Sequence, residues 1–262
     1  MERWRGRVAV VTGASAGIGA AIAYQLQDAG VNVVAMARRA DKIQDAVNAA
    51  RKAAESRHRS QIGKAPERGQ LHCVKCDVSK EDEVLEAFKW VKDNLGGVDI
   101  LVNNAGVGGN TTLTETNTND WKRILDINIL GLSICTREAI QQMKARGVDD
   151  GHIVHMCSIS GHWLPRSPEW SMYYASKHAV RVLTEGLRKE LVAAKSKIRV
   201  SQICPGLVRT DFFDSFLENQ DEVWIQNQLY TEDIADAVLY VLNVPPHVQI
   251  HDIIVKPVGE EF

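Results

Sequence analysis

The stretch that most constrains this chain runs from Arg7 to Gly19, where a short apolar run meets a glycine-rich turn. Arg7 to Thr12 reads as a strand, and Gly13-Ala14-Ser15-Ala16-Gly17-Ile18-Gly19 follows without a gap. Ala20 to Ala29 reads as a helix closed by Gly30, and Val31 to Ala37 as a second strand. Strand, glycine turn, helix, strand is a βαβ unit, so the pattern points to a parallel sheet. Glycines let the backbone approach a pyrophosphate closely, and a helix N-terminus offers unpaired N–H groups and a positive dipole end. The spacing is GxxxGxG, not the GxGxxG of long-chain dinucleotide enzymes.

The alternation continues to the end of the chain. Strands are expected at Leu71–Cys76, Val98–Val102, Ile153–Cys157, Arg199–Ile203 and near Asp252–Val255. Helices are expected at Ala40–Glu55, Glu81–Leu95 (closed by Gly96-Gly97), Asn119–Arg146, from Tyr173 to about Ala194, and at Thr231–Leu242 with Thr231 as its cap. Ser56 to Gln70 is polar and basic and reads as a long exposed loop, and His162 to Met172 as a loop rich in aromatic residues and Pro. No repeat or low-complexity linker interrupts the pattern. It implies an α/β fold, a doubly wound parallel sheet of about seven strands in one domain spanning residues 1–262.

Composition excludes several classes of function. The formal net charge of −2 gives no electrostatic case for nucleic acid or an anionic membrane surface. No apolar run reaches the length of a signal-peptide core or a membrane span, and the C-terminus carries no retention or peroxisomal address, which is a cytoplasmic profile. The five cysteines are scattered and odd in number, as expected of reduced thiols. Cys73 and Cys76 form a CxxC, but they fall within a strand and no second pair completes a metal site. Both are expected to be buried structural thiols, and no metal is expected.

Ligands of such sheets bind at the carboxyl ends of the strands. The second strand ends in Arg38-Arg39, with no acidic side chain before Asp41. An acidic residue at this point accepts the adenosine ribose hydroxyl of NAD, whereas guanidinium groups suit the 2′-phosphate of NADP. The third strand ends at Asp77-Val78, where the carboxylate can accept a hydrogen bond from an adenine amine. The fourth leads into Asn103-Asn104-Ala105-Gly106. Tyr173 and Lys177, four apart, share one helix face. A phenol titrating near ~10 exchanges protons poorly at neutral pH, and a neighbouring ammonium lowers that value. Tyr174 has His178 at the same spacing. Asn128, among Ile124, Leu125, Ile127, Ile129 and Leu130, is either a buried hydrogen-bonding hub or a packing oddity.

Together, TGASAGIG at Thr12–Gly19, CDV at Cys76–Val78, NNAG at Asn103–Gly106, Asn128, Ser158, YYASK at Tyr173–Lys177 and PGLVRT at Pro205–Thr210 resemble a short-chain dehydrogenase/reductase. The resemblance covers the whole chain in order. Shorter matches, among them MERWR at Met1–Arg5, SICTREA at Ser133–Ala139 and HVQIHDI at His247–Ile253, are similar to the group called dehydrogenase/reductase SDR-family member 11, and to insect NADP-dependent farnesol dehydrogenases. The family implies a Rossmann-type fold with helices on both faces, a nicotinamide cofactor, alcohol–carbonyl hydride transfer, and a homodimer or homotetramer formed through the two long helices.

Carried over by position, the resemblance makes Tyr173 the general acid in reduction and the base in oxidation. Lys177 would lower its pKa and bond the nicotinamide ribose. Ser158 would hold the substrate oxygen; Ser160 is its rival, but the family's serine lies three residues before a glycine, here Gly161. Asn128 would hold a relay water. Gly13, Ala14, Ser15, Ala16, Gly17, Ile18 and Gly19 would line the pyrophosphate, with Arg38 and Arg39 on the 2′-phosphate. Asp77 and Val78 would hold adenine; Asn104, Ala105 and Gly106 the ribose; Pro205, Gly206, Val208 and Thr210 the nicotinamide. Trp163, Leu164, Trp170, Phe212 and Phe213 suit the wall of a pocket for a lipophilic alcohol or carbonyl, an isoprenoid or a keto-steroid, with ordinary core as the alternative for each. Rival functions are a silent NADP-binding sensor or scaffold, which need not keep the catalytic set, and a nucleotide-sugar epimerase, which the short C-terminal region opposes.

Overall fold

Every residue of β1 (Val8–Thr12) is buried, because a run of small apolar residues in a parallel sheet packs on both faces. The computed structural model describes residues 1–57, 67–165, 167–214 and 228–260, without the side chains of 213 and 214. Beside β1 lie β2 (Asn32–Ala37), β3 (Leu71–Lys75), β4 (Ile100–Asn103), β5 (His152–Met156), β6 (Arg199–Pro205) and β7 (Asp252–Val255). They form one all-parallel seven-stranded sheet in the order β3-β2-β1-β4-β5-β6-β7. This is the α/β, doubly wound Rossmann-type architecture expected.

The helices are α1 (Gly17–Asp28), α2 (Ile43–Ser56), α3 (Glu81–Leu95), α4 (Thr118–Leu125), α5 (Leu132–Ala145), α6 (Ser171–Ala193), α7 (Asp211–Asp214) and α8 (Thr231–Asn243). Alternate side chains of β1 feed opposite cores. Ala9 and Val11 pack with Ile22 and Leu26 of α1 and with Val238 and Leu242 of α8. Val8 and Val10 pack with Phe88 and Val91 of α3 and with Ile140 and Met143 of α5. Strand order reverses between β1 and β4, and the switch opens a crevice at the carboxyl ends of the sheet.

The structure departs from the sequence reading in four places. The helix expected over Asn119–Arg146 is α4, a single π turn (Asp126–Gly131) and α5. At the end of that turn the chain presses on the segment that follows β3: a Cβ at Gly131 would sit 2.5 Å from the Val78 carbonyl oxygen. α1 begins at Gly17, not Ala20. The cap of α8 is Tyr230, whose N–H donates to Asp233 Oδ2 at 2.7 Å, so Thr231 is already helical. Cys73 is exposed while Cys76 is buried, because β3 is an edge strand with an open face. Most of the expected loop at Ser56–Gln70 lies outside the described residues. Among the described residues, no helix is long and apolar enough to cross a membrane.

Candidate active site

The crevice is a cleft of about 370 Å³ that runs from the end of β2 to the start of α6. Its floor depends on glycines that remove side chains where backbones meet. Gly13 has a φ of 68°, and a Cβ there would lie 2.8 Å from Ala105 Cα. A Cβ at Gly19 would lie 2.5 Å from both Asn104 Nδ2 and the Gly13 carbonyl oxygen. Ala16, ahead of α1, has no side chain to cap the helix, and Gly17, Ile18 and Gly19 of its first turn line the cleft. Uncapped N–H groups at a helix start suit an anionic group. The exposed Arg38 and Arg39 line the same cleft at the end of β2, so these residues fit a dinucleotide carrying phosphates.

At the other end the cleft is lined by Ser158, Tyr173 and Lys177. Lys177 is buried on α6, and its Nζ donates to the Met156 carbonyl at 3.0 Å, 5.7 Å from the centroid of the Tyr173 ring. Burial lowers the Lys177 pKa. Burial is also the leading influence on Tyr173 and raises its phenol, while the hydrogen bond from Ser158 pulls the other way. Gly161 explains how the serine reaches this place. A Cβ there would meet Cys157 Sγ at 2.6 Å and the Lys177 carbonyl at 2.9 Å, so only glycine lets the Ser158 turn lie against α6. Ser160 does not line the cleft; its N–H donates to Ser158 Oγ at 3.1 Å.

Asn128 lies just behind the cleft rather than in its lining. A Cβ at Gly106 would sit 3.6 Å from Asn128 Oδ1 and 3.7 Å from Lys177 Nζ, so the two side chains flank one stretch of backbone. Of the two readings of Asn128, the hydrogen-bonding hub is correct: it bonds both backbone groups of Val107 and the Ser176 hydroxyl.

Asp77, Val78, Asn104, Ala105, Gly106, Pro205, Gly206, Val208, Thr210, Ser15 and Phe212 also line the cleft. The Asn104 amide is turned inward, donating to the Thr12 carbonyl at 2.9 Å. Ala14 is fully buried and does not reach the cleft. Trp170 stands beside it, edge-on to Tyr173 at 5.7 Å, with Phe212 at 5.7 Å on the same ring. Trp163 and Leu164 are exposed outside the lining, and Lys256 Nζ lies over the Trp163 ring. The Phe213 side chain lies outside the described residues. The lining also holds Ala37, Cys76, Val107, Ile127, Met156, Cys157 and Asp211, which the sequence reading missed. All but Met156 adjoin a residue already singled out, and Met156 lies two before Ser158 at the end of β5, so reading each motif outward along the chain would have found them.

The family model for short chain dehydrogenases matches residues 7–221. The chain belongs to that family. As a short-chain dehydrogenase it is an oxidoreductase that uses NAD(P) and acts on alcohols. It is 47% identical to a farnesol dehydrogenase of Aedes aegypti over 100% of both chains. It is 45% identical to dehydrogenase/reductase SDR family member 11 of Bos taurus over 98% of both. An alcohol dehydrogenase from the archaeon Thermococcus sibiricus, solved with 5-hydroxy-NADP, superimposes with a TM-score of 0.78 at 26% identity, covering 97% of each chain.

Proposed function

We propose that this short-chain dehydrogenase is specific for NADP(H) and interconverts a lipophilic alcohol with its aldehyde or ketone, an isoprenoid such as farnesol or a keto-steroid. The observation that carries the cofactor choice is the Arg38–Arg39 pair on the cleft that also holds Ser158, Tyr173 and Lys177. Two guanidinium forks match a 2′-phosphate and leave no acceptor for a free ribose hydroxyl. The aromatic ring cluster of Trp170, Tyr173 and Phe212 suits an apolar substrate, and the full-length likeness to the mosquito farnesol dehydrogenase favours the isoprenoid.

In this reading Gly13, Ser15, Gly17, Ile18 and Gly19 cradle the pyrophosphate, Asp77 and Val78 hold adenine, and Val208 and Thr210 border the nicotinamide. The cofactor supplies or accepts the hydride. Tyr173, which burial keeps protonated, gives its proton to the carbonyl oxygen in reduction and takes it back in oxidation. Ser158 donates to the same oxygen as charge develops on it. Lys177 holds a positive charge one helical turn away, which stabilises the phenolate left behind. Asn128, across the Gly106 backbone from Lys177, holds a water that returns protons to it. Residues 1–262 form one catalytic domain of a cytoplasmic homodimer or homotetramer. Exposed Leu125 and Leu130 near α4, and Val182 and Val192 on α6, support association through these elements.

The test follows the absorbance of reduced nicotinamide, with NADPH against NADH, a keto-steroid and farnesal as acceptors, and farnesol with NADP⁺ in reverse. Turnover with a clear preference for NADPH supports the reading. Turnover that prefers NADH rejects the cofactor assignment. Failure of every lipophilic pair alongside turnover of small polar alcohols rejects the substrate class.

A further inference from the structure

On the far side of the Ser158 turn, three side chains with metal-ligand chemistry, from three separate elements, converge. His162 Nε2 lies 3.3 Å from Cys204 Sγ and 3.1 Å from Asp252 Oδ2, and Cys204 Sγ lies 3.1 Å from Asp252 Oδ1. Among the described residues this is the one group of His, Cys, Asp and Glu side chains compact enough to hold a metal ion. His162 follows the 3₁₀ turn Ile159–Gly161, Cys204 belongs to β6, and Asp252 opens the edge strand β7.

The arrangement differs from a hydrogen-bond relay. A relay passes through both ring nitrogens, as His155 does between Thr184 on Nδ1 and Thr136 on Nε2. At His162 the same nitrogen faces both the sulfur and the carboxylate, and the two carboxylate oxygens face the imidazole and the thiol, so the three side chains close a ring of contacts. Bond lengths of about 2.0–2.1 Å to nitrogen and oxygen and about 2.3 Å to sulfur put tetrahedral zinc ligands roughly 3.4–3.6 Å apart. One ligand atom from each residue lies within 4.8 Å of the others, so a small turn of the Asp252 carboxylate toward both partners would bring the three to that spacing.

We propose that His162, Cys204 and Asp252 form a binding site for a divalent cation of the zinc class, with three protein ligands and a fourth position for water. The donor set of thiolate, imidazole and carboxylate selects zinc-like ions over magnesium or calcium. The cation takes the place of the Cys204 thiol proton, which leaves to solvent. Gln202 also orients two of the ligands, its Nε2 donating to Asp252 Oδ2 at 3.1 Å and to Cys204 Sγ at 3.2 Å. The Cys204 side chain is sealed off, but the Asp252 side chain is 32% exposed and gives the ion a way in. Bound there, the ion ties β6 and β7 to the turn that carries Ser158.

The test is a cobalt(II) titration of the full chain after treatment with a chelator. The expected result is one equivalent bound with a thiolate-to-cobalt charge-transfer band, displaced by zinc. Cys204→Ser should lose the band, and His162→Gln and Asp252→Asn should each weaken binding by roughly tenfold or more. The latter two side chains are partly exposed, so they decide the question if Cys204→Ser does not fold. No thiolate band in the folded protein overturns the proposal. So does a band that survives both His162→Gln and Asp252→Asn, or one that vanishes with Cys73→Ser, the exposed thiol elsewhere.

Discussion

Asn128 Nδ2 donates to the Ser176 hydroxyl at 3.0 Å, which joins the π turn to the helix that carries Tyr173 and Lys177. The same amide donates to the Val107 carbonyl and its oxygen accepts from the Val107 N–H, both at 2.9 Å. Ser176 in turn donates to the Tyr173 carbonyl at 2.7 Å. One side chain therefore ties together the loop after β4, the π turn and α6, the elements between which Lys177 and Gly106 sit.

Asn128→Leu should strand both backbone groups of Val107 at once. Each buried polar group left unpaired costs about 1–3 kcal/mol, whereas Ser176→Ala removes one of two partners of the amide and should cost about 1 kcal/mol. At about 2–4 °C per kcal/mol for a chain of this size, thermal melting separates the two variants clearly. Equal losses would show that Asn128 is not the hub of this network.

Tyr173→Phe removes the phenol oxygen and keeps the ring against Trp170 and Phe212. Turnover should fall by roughly 10²–10⁴-fold or more, the usual worth of a positioned proton donor, while NADPH affinity stays nearly unchanged. Single-turnover rates and a fluorescence titration of NADPH check the two halves separately. Retained activity would remove Tyr173 from the mechanism.

Arg38→Asp combined with Arg39→Ala exchanges a phosphate site for a hydroxyl acceptor. Charge-assisted hydrogen bonds are worth about 1.5–3 kcal/mol each, so NADPH binding should weaken on the order of a hundredfold while NADH is little affected. The ratio of the two dissociation constants is the measurement. An unchanged ratio would place the 2′-phosphate somewhere else.

The Cβ that alanine would add at Gly108 falls 2.9 Å from Phe212 Cζ and 2.9 Å from Trp170 Cζ3. Both rings would have to swing toward the cleft or away from it. Gly108→Ala should therefore raise KM for a bulky lipophilic substrate more than for a small carbonyl, with NADPH affinity held. KM values across substrates of graded size check this, and a uniform change would mean that the two rings do not border the substrate.

The phosphate-loop end was legible because glycine spacing, a strand and a helix start are local features, and of Gly13 to Gly19 all but the buried Ala14 line the cleft. Tyr173 and Lys177 were equally legible, since helical periodicity alone puts them on one face. Three things were not. Gly108 and Gly131 act through atoms distant in the chain, and nothing in their own neighbourhood announces which backbone or ring will press on them. The π turn hides in an unbroken helical pattern, because one extra residue per turn leaves composition unchanged. Trp163 and Leu164 resembled pocket residues by their nearness in sequence to Ser158, yet both are exposed beyond the turn that ends at His162.

His155 offers a test of the fold at low pH. It is buried on β5, and burial, with the nearby Lys177 charge, lowers its pKa to about 4. The Thr184 and Thr136 hydroxyls lie 2.9 Å from Nδ1 and 3.1 Å from Nε2, and burial favours the neutral ring between them. In the unfolded chain the same ring titrates near ~6.5. Between the two values the unfolded state binds the extra proton, so its protonation favours unfolding. The stabilisation is fully present above about pH 6.5 and is lost as the pH falls toward 4, in total roughly 3 kcal/mol. Chemical denaturation across that range should show a falling midpoint in the native sequence and a flatter one in His155→Gln, whose amide can bond both hydroxyls without titrating. His152 is also buried with its pKa lowered, so some slope should persist in the variant. Identical slopes in the two proteins would mean that His155 does not carry the acid sensitivity of the sheet.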